Sequence, residues 1–448
     1  MRNDTHRNCE GVVRRDFLKI GSAGLLGLTL PDLLRLESRA AGATATATPK
    51  AKSVIVLWLP GGPATIDMWD NKPDAPEGIR GEFQSIDCKA PGMRISEHLP
   101  KMAAIGDKVT LVRSLHHTIP SHSPATVFMT TGNKPTSAIQ YPAMGSLASK
   151  LLAVDKGIPA YVSFSDIRGG NAGQGGFLGA GYNPFTVEGM GGGGGKGKGA
   201  SGEGARVRGI SLPTGFTQDD LTRRDRLLKS FDGGLKALDE AGDLVDGLDS
   251  FHKQAIDILQ SDKTKRAFDL SGEKQATRDM YGAGVGIAAL SARRLVEAGV
   301  RFVTMSIGGW DTHANNFASL KDKNLPALDT VLSALIRDLD ERGLLDSTIV
   351  MCAGEFGRTP KINAKAGRDH WARSMACVLA GGGIQRGYVH GSTDASGMAP
   401  ATDAVMPDDI SATIFHQLGI APTTEIQSPT GRPITIFREG KVVDKMIG

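Results

Sequence analysis

Residues 325–358 read LPALDTVLSALIRDLDERGLLDSTIVMCAGEFGR. Leu325, Leu328, Leu332, Leu335, Ile336 and Leu339 recur at helical spacing, and Gly343 stands where the helix should stop. The run from Thr348 to Cys352 is too short for a buried helix and reads as a strand, closed by the polar pair Glu355 and Arg358. A helix that feeds a buried strand is the repeating unit of an α/β sheet.

Working outward, the same kind of apolar run recurs at Val54 to Leu59, Val109 to Arg113, Ala160 to Ser163, Phe302 to Ser306 and Met375 to Ala380. Helical patterns over about 218–260 and 273–297 separate the two halves of this set. The expectation is one large α/β domain around a largely parallel sheet. Residues 189–209 hold eleven glycines with Lys196, Lys198 and Arg206. No Lys-Ser/Thr follows and no periodic helix opens there, so this reads as a flexible insertion and not as a phosphate-cradling loop.

The chain has 448 residues, 40% of them hydrophobic, and carries 52 basic against 48 acidic side chains. That is enough apolar material for a substantial core. The +4 balance is not gathered into aromatic-studded stripes, which excludes nucleic acid as a partner on electrostatic grounds. The apolar stretch near the N-terminus is broken by glycines, Pro31 and Asp32, so no membrane span is expected.

Val13-Arg14-Arg15-Asp16-Phe17-Leu18-Lys19, the apolar stretch after it and the small residues through Ala47 resemble a twin-arginine export signal. Residues 1–47 are therefore expected to be removed, and residues 48–448 to work in the periplasm or otherwise outside the cytoplasm after handling by the twin-arginine translocase. The signal takes away seven basic and five acidic side chains and leaves +2. Cys88, Cys352 and Cys377 remain, too few for a disulfide scaffold.

Ligands of open α/β sheets gather at the carboxyl ends of strands. There this chain places Gly61-Gly62, Asp67, His116-His117, Ser121-His122-Ser123, Asp311-Thr312-His313 and Glu355, with Asp369-His370 just before the Met375 run. Carboxylates and imidazoles meeting from several strand ends make a nitrogen and oxygen site of the kind zinc, manganese or iron accepts. The ordinary readings are a helix cap for Asp311, an ion pair of Glu355 with Arg358, and a surface pair at Asp369-His370.

The segment from Leu328 through Glu355-Phe356-Gly357 resembles the helix, strand and Asp-His-Gly turn of the alkaline phosphatase and sulfatase superfamily. His122-Ser123-Pro124 to Thr131-Gly132 is similar to its nucleophile segment, and Asp409 to Ile420 to its closing helix. With Gly61-Gly62-Pro63 and Trp310-Asp311-Thr312-His313, the pattern over about residues 50–435 looks like a twin-arginine-exported family, described by a domain of unknown function, within that superfamily. The resemblance implies an alkaline-phosphatase-like three-layer α/β sandwich with a mostly parallel central sheet flanked by helices. It also implies an exported hydrolase of a phosphate or sulfate ester, acting on a small-molecule or glycan ester.

The cofactor implied is one or two divalent ions (zinc, manganese or calcium). Asp311, His313 and His370 match one half of such a site, with Glu355 and Asp369 beside them. In the other half the first-strand carboxylate is replaced by glycine, the nucleophile by His122 and the turn histidine by Phe356. Three readings stay open. Asp67 replaces the missing carboxylate, His122 becomes a ligand, or His122 attacks as a nucleophile with Ser121 and Ser123 flanking it. The alternative function is a catalytically degenerate binding or scaffold protein of the same fold.

Overall fold

The computed structural model describes residues 48–164, 167, 172–187, 258, 261–428 and 430–448. The expected export signal, the glycine-rich segment and the helical pattern over about 218–260 (Ile258 apart) lie outside them. Eight strands form the central sheet: β1 (Ser53–Trp58), β2 (Val109–Leu115), β3 (Tyr161–Ser163), β4 (Phe185–Thr186), β5 (Phe302–Ser306), β6 (Thr348–Ala353), β7 (Met375–Ala380) and β8 (Tyr388–His390). Their order across the sheet is β8-β2-β7-β6-β1-β5-β3-β4. All pairings are parallel except those of β7, which runs antiparallel to β2 and to β6.

Helices cover both faces, as alternation along β1 requires. Ile55 and Leu57 point into one apolar cluster with α3 (Val285–Glu297) and α4 (Leu325–Glu341). Val54, Val56 and Trp58 point into another with α1 (His122–Thr131), α2 (Met144–Leu151) and α5 (Pro407–Gln417). The chain is thus the expected three-layer α/β sandwich with a mostly parallel sheet. Cys352 and Cys377 sit in opposite clusters and pack as small hydrophobes.

In α4 the six periodic apolar residues are fully buried, each burial stabilising by about 1.5–3 kcal/mol. Gly343 takes φ +69° just past the helix end, and the Leu344 amide then reaches back to the Leu339 carbonyl at 2.8 Å. The pattern over 273–297 forms two helices rather than one, Gln275–Tyr281 and α3, because Gly282 and Gly284 adopt positive φ between them. Among the described residues no helix is long and apolar enough to cross a membrane.

Candidate metal centre

The reversed strand β7 decides which residues meet. β2, β5 and β6 are mutually parallel in direction, so the chain after each leaves at one edge of the sheet: His122 opens α1 after β2, Asp311 and His313 follow β5, and Glu355 follows β6. Because β7 runs the other way, the residues that precede it lie at that same edge. His370 arrives there on a two-residue strand, His370–Trp371, paired antiparallel with Gly357–Arg358 in the register His370 to Arg358.

Four side chains converge. Asp311 Oδ1 lies 3.1 Å from His313 Nε2 and 3.4 Å from His370 Nε2, and those two nitrogens are 2.9 Å apart. His122 Nε2 lies 3.5 Å from Asp311 Oδ2. Donor atoms of His122, Asp311 and His370 all fall within 4.8 Å of one another. A tetrahedral ion with bonds of about 2.1 Å would hold its donors about 3.4 Å apart, so the spacing of His122, Asp311 and His370 suits a common cation.

The other ring nitrogens each face an acceptor. His122 Nδ1 is 2.6 Å from Glu355 Oε1, His313 Nδ1 is 2.8 Å from Asp369 Oδ1, and His370 Nδ1 is 3.0 Å from the Pro120 carbonyl. All three partners accept, so each Nδ1 donates, and a ring that is neutral then turns the lone pair on Nε2 toward Asp311. Histidines that ligate metals typically have such an outer acceptor. Lone pairs facing each other at 2.9 Å repel unless a proton or a metal cation lies between them.

Glu355 is buried, and the Gly61 amide donates to its Oε1 at 2.8 Å, while Oε2 has no hydrogen-bond partner among the described residues. The Glu355 hydrogen bond raises the pKa of His122 against the opposing effect of burial. Burial lowers that of His370, and the charge of Arg358 adds to this. Burial alone would raise the carboxyl of Asp311, but the Arg358 guanidinium hydrogen-bonded to it outweighs that and holds it low. The bond from His313 lowers Asp369.

Arg358 is buried behind the cluster. It donates to Asp311, to the Gly61 and Gly62 carbonyls and, at 3.0 Å, to the Arg368 carbonyl. Phe356 is fully buried, its ring centroid 5.0 Å from that of His122 and 4.5 Å from that of His370. Gly62 has φ +74°, and a Cβ there would come within 2.4 Å of the Phe356 ring, which explains glycine in this turn.

The family described as "Protein of unknown function (DUF1501)" matches residues 51–447. The chain belongs to the DUF1501 family. No curated protein matches it. Among solved structures it is similar to a sulfatase from Pseudoalteromonas sp. (13% identity, TM-score 0.38, covering 85% of this chain and 70% of that one). It is also similar to a lipoteichoic acid synthase from Listeria monocytogenes (10%, 0.36, 87% and 75%) and to a phosphonate monoester hydrolase from Silicibacter pomeroyi (10%, 0.34, 85% and 76%).

In this DUF1501 chain the structure brings Asp311, His313 and His370 together, with His122 beside Asp311 and His370. Two expected ligands stand one shell further out: Glu355 behind His122 and Asp369 behind His313. Asp67 is engaged elsewhere. It is buried in a bidentate pair with Arg368 (Nε to Oδ2 2.7 Å, Nη2 to Oδ1 2.8 Å), and Asn316 Nδ2 donates to Oδ2 at 2.8 Å, so neither oxygen is free for a metal. Ser121 and Ser123 are exposed on either side of His122 at the start of α1, where Ser121 makes no side-chain cap. The ordinary pairing of Glu355 with Arg358 is replaced by that of Arg358 with Asp311.

Sequence reasoning missed Arg368 and Asn363. Asn363 Nδ2 donates to the His313 carbonyl at 3.0 Å and to Asp369 Oδ1 at 3.3 Å, tying the two loops of the site together. No local pattern announces a contact across 50 positions.

Proposed function

We propose that this chain is an extracytoplasmic, metal-dependent hydrolase of a phosphate or sulfate ester, with a single divalent ion held by His122, Asp311, His313 and His370. The observation that carries the metal site is the convergence of three Nε2 atoms on Asp311 while each Nδ1 faces an acceptor. Charge supports it: Asp311, Glu355 and Asp369 against Arg358 leave a formal −2 around neutral imidazoles, which one divalent ion cancels. The choice of one ion rather than two rests on Asp67, neutralised by Arg368, and on Phe356, which offers only hydrocarbon.

A bound divalent ion supplies Lewis acidity, polarising a phosphoryl or sulfuryl oxygen or lowering the pKa of a water. Glu355, Asp369 and the Pro120 carbonyl fix the three rings in the liganding tautomer. Arg358 keeps Asp311 anionic from the buried side. At the start of α1 the unpaired backbone amides and the hydroxyls of Ser121 and Ser123 can receive an anionic ester oxygen. The ester class itself rests on the resemblance of the islands around His122 and Glu355 to the sulfatase and phosphatase superfamily, and a small-molecule or glycan ester is the substrate proposed.

The alternative, a binding or scaffold protein keeping one structural ion, is favoured by Arg358, whose donors are committed to carbonyls and Asp311 rather than turned to an anion. Turnover separates the two. The full chain loaded with zinc, manganese or calcium is assayed on aryl phosphate and aryl sulfate esters. Hydrolysis that disappears on chelation and in His370→Ala supports the enzyme; a metal-bound protein inert on the whole panel supports the scaffold.

A further inference from the structure

A cavity of about 100 Å³ opens where α1 ends, at the far end of the helix that begins with His122. Ten residues of helix separate the two ends by about 15 Å, so this cavity is distinct from the metal cluster. Gly132, at φ +65°, turns the chain out of α1, and the buried Asn133 then donates to the Thr131 and Ile436 carbonyls at 3.1 and 2.7 Å. These bonds hold the segment that carries Lys134 against the segment that carries Arg438 and Glu439.

Four charged side chains line the cavity. Lys134 and Glu439 satisfy each other at 2.5 Å. Two remain. Asp408, second residue of α5, is 4% exposed, and its Oδ1 has no hydrogen-bond partner among the described residues. Its neighbour Asp409 does the capping instead, accepting from the Met406 and Lys441 amides at 2.9 Å each. Arg438 stands exposed on the other side, with one long contact of 3.4 Å from Nη1 to the Tyr141 hydroxyl.

An unpartnered buried carboxylate oxygen is costly, and burial together with the adjacent Asp409 pushes the Asp408 carboxyl above its ordinary pKa. A donor from a ligand would relieve this. A bare cation would be repelled by Lys134 and Arg438, and a bare anion by Asp408 and Glu439. The uncommitted complement is one carboxylate and one guanidinium.

We propose that this cavity is a second ligand site, for a compact zwitterion of amino-acid size whose ammonium meets Asp408 and whose carboxylate meets Arg438. The volume is several times the roughly 30 Å³ of one liquid water, enough for a handful of heavy atoms.

The test is calorimetric titration of the full chain with L-alanine, using ethylamine and acetate as probes that each carry one of the two charges. The site predicts saturable binding of L-alanine, at least about ten-fold weaker binding of either probe, and a loss of about ten-fold or more in Asp408→Asn and in Arg438→Met. Arg438 is exposed, so its replacement reports on binding even where Asp408→Asn fails to fold. Affinity should be the same with and without a chelator, which separates this site from the metal cluster. Absence of saturable L-alanine binding up to the millimolar range, equal binding of ethylamine or acetate, or undiminished binding by Arg438→Met would overturn the proposal.

Discussion

The Nε2 atoms of His313 and His370 lie 2.9 Å apart, although the Nδ1 of each ring is already committed to an acceptor, Asp369 for one and the Pro120 carbonyl for the other. Two neutral imidazoles in those tautomers present lone pair to lone pair. Such an arrangement is stable around a cation, and the nearby Asp311 oxygen completes its charge.

Outer-shell acceptors of metal-bound histidines are commonly worth 10–100-fold in metal affinity. Asp369→Asn should weaken zinc binding by about that factor, read by competition with a chromophoric chelator. Asp369 is more than half exposed, so its melting temperature without metal should barely move. Unchanged zinc affinity would remove Asp369 from the site's support.

In the metal-free protein the pH dependence has a definite sign. Glu355 raises the pKa of His122 above its ordinary 6.5. The stabilisation from protonated His122 is therefore whole below about pH 6.5 and is lost as pH climbs through the raised folded value. With chelator present, melting temperature should fall over this range, and His122→Gln should flatten the fall. With zinc present the trend should reverse, because the histidine ligands must be deprotonated to bind. The same falling limb in His122→Gln would show that another group causes it.

Asp67 is buried in a pair with Arg368, and the proposed single-ion site assigns it to the fold. Breaking a buried, hydrogen-bonded pair typically destabilises by about 3–5 kcal/mol. Asp67→Asn should lower the unfolding free energy by about that amount in denaturant titrations while leaving metal stoichiometry unchanged. A stable variant that had lost its ion would reverse the assignment.

Replacing Arg14 and Arg15 together by lysine should leave the protein in the cytoplasm, since the paired guanidinium groups are what the translocase of folded proteins reads. Cell fractionation checks it. Normal accumulation outside the cytoplasm would refute the signal.

Much of the sandwich was legible because its strands are short, fully apolar runs. All six that stand out in the sequence are strands within two residues of the expected bounds. The reversal of β7 was not legible, since Met375 to Ala380 reads alike in either direction, and β4 and β8, two and three residues long, carry too little pattern. The meeting of Asp311, His313 and His370 followed from strand ends. The outer place of Glu355 did not, because the choice between ligand and support depends on how far β6 carries it below His122. The loss of Asp67 to Arg368 involves partners 301 positions apart, beyond any local signal.

The most direct test of the metal centre is the metal content of the full chain purified after native export, by elemental analysis per mole of protein. The account predicts one divalent transition-metal ion per chain, lost in His370→Ala and retained in Asp67→Asn. Protein that carries no ion and takes none up from added zinc or manganese, or that binds two ions, would contradict it.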